Sequence, residues 1–277
     1  MSTGPIVVGI DGSESASRAA DWALSWGAAT GTPVRIIASE AVPPGHTQAS
    51  PGLGAKAEAA ISAERDRLGT GPDGVEFALQ AVVSHPVTAL LGASQEAAAV
   101  VVGTRGTGAF KGSVVGSIAG AVAAQAHCPT VVIPPGAPER YVAEGPIVVR
   151  IDGSEPDIGA VGLAISAARA EGRAVTLIQA GTGDTESEQP VEGMAEEFRR
   201  DNPDVEIEVR VLDDVVAGLT EGSRGAGFVV LASQGHRGVP GFLLGPTTRA
   251  LVQSAEAPVI VLTGRSEKRW PVSGSST

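Results

Sequence analysis

Short apolar runs rich in β-branched residues recur along the chain and alternate with stretches of helical periodicity. Ile6 to Ile10 is such a run, as expected of a strand buried on both faces. Ser13 then offers an N-cap, and the apolar positions between 16 and 24 mark one helical face that ends near Gly31. The same alternation predicts further strands at 34–38, 75–83, 99–102 and 130–133, with helices at 56–68, 86–96 and 117–127. This order is typical of a doubly wound, Rossmann-like α/β domain with a five-stranded, mainly parallel sheet flanked by helices.

The whole pattern occurs twice. Residues 6–14 return as residues 147–155 with one difference, since Arg150 stands where the first copy has Gly9. The second copy predicts strands at 147–151, 174–179, 205–212, 227–231 and 258–262, with helices at 155–170, 191–200, 214–223 and 247–255. A repeat period this long indicates two copies of a whole domain. We therefore expect tandem domains over residues 1–138 and 144–265, followed by a mobile polar tail over residues 266–277.

Composition and charge narrow the range of possible partners and cellular locations. A net charge of −11 argues against a nucleic-acid partner, because phosphate neutralisation needs a Lys/Arg surface. The uncharged stretch from 112 to 126 is too short to span a bilayer, so no membrane partner is expected. Cys128 is the single cysteine, which excludes an intramolecular disulfide and fits a reducing cytosol. With no secretory signal pattern at the N-terminus, we expect a cytoplasmic protein.

Glycine and hydroxyl residues gather where such a fold binds ligands, at the carboxyl ends of strands and the N-termini of helices. The motif Gly103-x2-Gly106-x9-Gly116-Ser117 follows the fourth strand and leads into the last helix of the first copy. Its first two glycines let the backbone approach an anion without a Cβ in the way. Gly116 and Ser117 open a helix whose unpaired N–H groups face outward, so the motif predicts a phosphate site.

Charged residues beside this motif suit a nucleotide. Arg105 and Lys111 lie inside the loop and could offset phosphate charge. Asp11 and Asp152 end the first strands of their copies, where a carboxylate suits a ribose hydroxyl or a bound metal such as Mg²⁺ better than a phosphate. Plainer interpretations stay open: glycines that serve only the turn, Asp11 as a helix cap, and solvated cations.

The glycine motif, together with Ile-Asp-Gly-Ser at the end of the first strand, resembles the universal stress protein family, and the chain is similar to a tandem member of its ATP-binding subgroup. The resemblance implies an adenine nucleotide alpha hydrolase-like fold, often dimeric through the last strand, with roles in stress survival or growth arrest. It implies that Asp11 contacts ribose or Mg²⁺, that the motif holds the phosphates of ATP, and that backbone between Ser39 and Val42 meets adenine. The residues it assigns to nucleotide binding in the first copy are Asp11, Gly12, Val42, Gly103, Arg105, Gly106, Gly116 and Ser117.

The second copy departs from this motif. Ala232 replaces Gly103, and Pro246 replaces Ser117, which removes a hydroxyl and a backbone N–H. Losing two donors to a charged group costs about 3 kcal/mol, at roughly 1.5 kcal/mol each. We therefore expect a weaker second site. Its candidate residues are Asp152, Gly235, Gly245 and Thr247, while Gln234 and Pro240 replace the two cations and Arg237 is the cation nearby.

Three functions remain open after this comparison. The favoured one is an ATP-binding stress-response module whose nucleotide state changes its shape or partners. A slow ATPase is the second, although no side chain is placed as an obvious general base, and we identify no catalytic residue. The third is a nucleotide-free scaffold that dimerises through its terminal strands. The two copies could also pair with each other inside one chain.

Overall fold

The computed structural model describes residues 4–47, 50–106, 116–152, 154–180, 185–233 and 244–266. In each half of the chain, strands and helices alternate. The first half contains β1 (Ile6–Ile10), α1 (Glu14–Thr30), β2 (Val34–Glu40), α2 (Ala55–Leu68), β3 (Phe77–Val83), α3 (Pro86–Ser94), β4 (Ala99–Gly103), α4 (Ser117–Gln125) and β5 (Thr130–Ile133). The second contains β6 (Ile147–Ile151), α5 (Glu155–Glu171), β7 (Val175–Ala180), α6 (Thr185–Asp201), β8 (Ile207–Leu212), α7 (Val215–Gly222), β9 (Phe228–Ser233), α8 (Pro246–Ser254) and β10 (Val259–Thr263).

Every predicted strand and helix is present, and α6 is the one whose start was placed wrongly. The prediction began it at residue 191, after Pro190, whereas the backbone is helical from Thr185. A proline inside a helix removes a backbone hydrogen bond, which made the preceding segment look like loop. Glu186 and Glu188 in that segment have a charge that favours a helix N-terminus.

The strands form one continuous ten-stranded sheet in the order β3-β2-β1-β4-β5-β10-β9-β6-β7-β8. Neighbours within each half are parallel, whereas β5 and β10 are antiparallel, with Val132 opposite Val259 and Val131 opposite Ile260. The expected pairing of the two copies inside one chain is confirmed. It corrects the expected dimer surface, because both edges of β5 and of β10 are already paired and leave no edge for a second chain.

Helices cover both faces of the sheet and bury two apolar layers. One layer includes α1 and α5, and the other includes α4 and α8. Trp22 and Trp26 are fully buried in α1, and their ring centroids lie 5.1 Å apart. The linker residue Tyr141 packs edge-on against Trp22, with 5.6 Å between the ring centroids. The two tryptophans are therefore packing residues of this layer. Cys128 is likewise buried in the second layer.

The topology determines where ligand sites can lie. Because β1 and β4 are adjacent and parallel, the segments that follow them meet at the same edge of the sheet. Because the seam between the halves is antiparallel, the corresponding edge of the second half faces the opposite way. Among the helices in the described part of the chain, none combines the length and apolarity needed to cross a membrane.

Candidate functional site

A cavity of about 450 Å³ opens at the carboxyl edge of the first half. Its walls come from the ends of β1, β2 and β4 and from the first turns of α3 and α4. Six of the residues predicted for nucleotide binding line it: Asp11, Gly103, Arg105, Gly106, Gly116 and Ser117. Gly12 is exposed in a left-handed turn with φ 82° beside the cavity, and Val42 is half-buried; neither is among the described lining residues.

Hydrogen bonds join the segment after β1 to the segment after β4. The Ser13 hydroxyl donates to the carbonyl oxygen of Arg105 at 3.2 Å, and the Arg105 N–H donates to the Ser15 hydroxyl at 3.4 Å. Ser13 also caps α1, because its Oγ accepts the N–H of Ala16 at 3.3 Å. Asp11 instead accepts the N–H of Ser13 at 3.1 Å. The interpretation of Asp11 as the helix cap is therefore wrong, and its carboxylate is fixed at the cavity wall.

The first two glycines of the motif are required by contacts with protein atoms. A Cβ on Gly106 would lie 2.2 Å from Asp11 Oδ2, and a Cβ on Gly103 would lie 2.4 Å from the carbonyl oxygen of Ser15. Both distances are far shorter than any van der Waals contact. Glycine at these positions lets the segment after β4 lie directly against the Asp11 carboxylate and the start of α1.

The start of α4 differs in one detail from the prediction. The Gly116 N–H does not face outward, because it donates to the carbonyl oxygen of Thr104 at 2.7 Å and closes the loop. The next three residues, Ser117, Ile118 and Ala119, form the first turn of α4 and line the cavity, and the N-cap residue Gly116 has no side chain that could cap that turn. Their N–H groups make the helix N-terminus a candidate anion site. Lys111 lies outside the described residues.

The opposite side of the cavity is apolar. Ile37, Leu90 and Val102 line it, together with Pro86 at the start of α3. Ser39 adds a polar group, and its hydroxyl donates to the Ser84 carbonyl oxygen at 2.5 Å. Sequence reasoning missed the contribution of α3. The signal that could have revealed it is Pro86, which opens a helix at the same sheet edge as the glycine motif.

Acidic groups are sparse at this site. Asp11 is the single carboxylate among the described lining residues, and the described part of the chain holds no cluster of three or more His, Cys, Asp or Glu side chains that could hold a metal. One carboxylate gives a hard cation too few ligands by itself. The residues therefore fit Mg²⁺ only as an ion that arrives with the phosphate oxygens of a ligand.

In the second half, Asp152 occupies the place of Asp11 at the end of β6. It accepts the N–H of Ser154 at 3.1 Å, as Asp11 accepts that of Ser13. It is also paired with Arg150 at 2.9 Å. Burial opposes the ionisation of Asp152, but the hydrogen bonds from Ser154 and the charge of Arg150 outweigh it and lower its pKa.

A second carboxylate, Asp157, is fully buried beside Asp152. Its Oδ2 accepts the N–H of Asp152 at 2.6 Å and that of Ser154 at 3.2 Å. Burial raises the pKa of Asp157 to about 6.

The structure describes only some of the remaining nucleotide-binding candidates of the second half. Gly245 precedes α8, where Pro246 is the first residue and provides no N–H, and Thr247 is half-buried in the first turn. Ala232 is buried near the end of β9. Gly235, Gln234, Arg237 and Pro240 lie outside the described residues.

Comparison with known proteins matches both halves of the chain to the same family. The model of the universal stress protein family matches residues 3–134 and again residues 145–263. The universal stress protein Rv2028c of Mycobacterium tuberculosis is 33% identical over 271 residues, covering 93% of this chain and 95% of its own length. The universal stress protein Rv2623 of the same organism is 28% identical and covers 92% and 95%.

Solved structures show the same fold. The crystal structure of a universal stress protein from Archaeoglobus fulgidus superposes with a TM-score of 0.74 over 95% of this chain and 99% of its own. Its sequence identity is 16%, so the similarity concerns the architecture.

Proposed function

The chain belongs to the universal stress protein family over both of its halves, and from this membership we propose that its first domain binds ATP and acts as a nucleotide-dependent regulatory module of a cytoplasmic stress response. The observation that carries the proposal is the cavity at the carboxyl edge of the first half, where a fixed carboxylate and the N-terminus of α4, whose N-cap residue is a glycine, face an apolar wall. These three features match the three chemical parts of a nucleotide.

Each part of the cavity has a chemical role in this proposal. The apolar residues Ile37 and Leu90 would contact the base, and the Asp11 carboxylate would accept hydrogen bonds from ribose hydroxyls. The N–H groups at the start of α4 and the Arg105 guanidinium would hold the phosphates. Mg²⁺ would neutralise phosphate charge, with Asp11 as the one described carboxylate near it.

The described residues that line the cavity favour nucleotide binding over rapid catalysis. The described lining contains no histidine or glutamate that could serve as a general base. Slow hydrolysis needs little covalent help from the protein, so an ATPase activity would be a weak accompaniment of binding. A nucleotide-free scaffold is the less favoured function, because close-packed glycines and an open cavity are not needed for one.

Calorimetric titration of ATP with Mg²⁺ tests the proposal. Wild type should bind ATP, and Gly106→Ala should lose at least ~tenfold in affinity, because the new methyl group displaces the Asp11 carboxylate. Gly92→Ala in α3 is the control, since Gly92 is not among the described lining residues and a Cβ there meets no described atom within 4 Å. Absence of binding by wild type, or equal affinities for wild type and Gly106→Ala, would contradict the proposal.

A further inference from the structure

Two positions distinguish the sites of the two halves beyond the glycine motif. The alignment that matches Ile6 to Ile147 also matches Gly9 to Arg150 and Ala16 to Asp157. Gly9 and Ala16 both line the cavity of the first domain. The first domain therefore has small residues, and the second has two charged ones, at equivalent places in the site.

Arg150 lies in the second half at the place that Gly9 has in the first half. It lies on β6 between Val149 and Ile151, whose side chains belong to the layer that includes α5, so Arg150 faces the α7 and α8 side. In the first domain this face is where Gly9 adjoins the cavity. A Cβ on Gly9 would lie 2.8 Å from Leu90 Cδ1, so even one added carbon crowds this wall.

The guanidinium of Arg150 is paired with the Asp152 carboxylate, which a ribose would need as a hydrogen-bond acceptor. Its Nη2 lies 2.9 Å from Asp152 Oδ2, while Asp152 Oδ1 accepts the N–H of Ser154. Both oxygens of Asp152 thus have partners from the chain itself. A ribose hydroxyl at Asp152 would have to share the carboxylate with, or displace, an ion pair whose side chains are about three-quarters and two-thirds buried.

Asp157 adds a buried negative charge to the same place. Its residue is 0% exposed, and its Oδ2 holds the backbone N–H groups of Asp152 and Ser154. In the first domain Ala16, with a single methyl group, stands at this position of the cavity wall. A phosphate brought beside Asp157 would meet a like charge in a region of low dielectric constant, which is strongly unfavourable.

We propose that Arg150 and Asp157 close the second site to nucleotide, and that Gly9 and Ala16 are the residues that keep the first site open. The inference builds on the proposed binding of ATP by the first domain. It makes the chain a one-site protein with an internal ion pair in place of the second ligand.

The test is the stoichiometry of ATP binding in variants that exchange these residues. Calorimetry with ATP and Mg²⁺ should give one equivalent for wild type and two for Arg150→Gly/Asp157→Ala, which copies the first domain. The second equivalent should be the weaker one, because Ala232 and Pro246 remain. Arg150→Lys, which keeps the charge, is the matched control and should stay at one equivalent.

Two further variants keep the test decisive if the double variant fails to fold. Ala16→Asp should abolish the first-domain site while thermal unfolding stays cooperative. Asp157→Ala alone should give detectable but weak binding at the second site, where wild type gives none. Two equivalents in wild type, or one equivalent in wild type and in every second-domain variant that folds, would overturn this inference and leave the proposed function standing. Failure of wild type to bind ATP would overturn the proposed function and this inference together.

Discussion

At the scale of single residues, Asp157 in α5 is a carboxylate without solvent exposure. It accepts hydrogen bonds from two backbone N–H groups of the segment that precedes α5, those of Asp152 and Ser154. Burial disfavours its charged form and raises its pKa to about 6, above the value near 3.9 typical of an unfolded chain. The folded state therefore binds this proton more tightly than the unfolded state.

The pH dependence of stability follows from this difference. The stability contribution of Asp157 is complete below about pH 4 and is lost as the pH rises from there through about 6, a total loss of about 3 kcal/mol. Asp157→Asn should therefore raise the melting temperature above that of wild type at pH 7.5, and the gap should narrow by pH 5. Asp204→Asn, at an exposed ion pair, is the control and should show no such trend. A gap that does not change with pH would contradict the shifted pKa.

The placement of site residues that is determined by the backbone was predictable from the sequence. The pairing of their side chains was not. Asp11, Gly103 and Gly106 meet as the sequence predicted, because strand ends and glycine turns determine where the backbone lies. Arg150 was visible as the single mismatch within the repeated strand. Its ion pair with Asp152 joins residues two apart at the end of β6, and the rotamers that bring the two side chains to 2.9 Å are not contained in that spacing.

At the scale of secondary-structure elements, a glycine precedes the first strand of each half, and its Cα lies very close to the backbone of another segment. A Cβ on Gly4 would lie 1.6 Å from the carbonyl oxygen of Glu96, and a Cβ on Gly145 would lie 1.8 Å from that of Gly225. In both halves the glycine lets the start of the strand lie against the turn before a neighbouring strand. Gly145 also has φ 71°, a left-handed conformation that favours glycine.

Gly145→Ala should consequently destabilise the protein. The new methyl group must move either the start of β6 or the turn before β9, and we expect the melting temperature to fall by about 5 °C or more. Gly162→Ala in α5 is the matched control, because a Cβ there meets no atom within 4 Å. Alanine in a helix is favoured over glycine by about 1 kcal/mol, so the control should be neutral or stabilised. Equal melting temperatures for the two variants would disprove the close approach.

Elements with a strong apolar pattern were predictable from sequence within a few residues. β1 and β6 are buried on both faces, and continuous β-branched runs indicate such strands directly. The start of α6 was not predictable, since its first residues are polar and include Pro190. Pro86 signalled a helix that begins at this end of the sheet, but the formation of a cavity wall by α3 depends on packing between elements distant in sequence.

At the scale of the whole molecule, the antiparallel seam between β5 and β10 turns two similar domains into one sheet with opposed ligand edges. A small ligand in the first cavity is therefore remote from the corresponding edge of the second half. The duplicated architecture does not require duplicated function, since the second half keeps the fold while its site holds an internal ion pair. The asymmetry is thus a property of side chains on a shared backbone plan.

The central claim is that adenine nucleotide binds in the first-domain cavity, and photolabelling with azido-ATP followed by peptide mapping tests it most directly. Label should appear in first-domain peptides that line the cavity, around Ile37 to Ser39 of β2 or Pro86 to Leu90 of α3. Unlabelled ATP should remove it by competition. Label confined to the second domain, or label that excess ATP does not reduce, would contradict the claim.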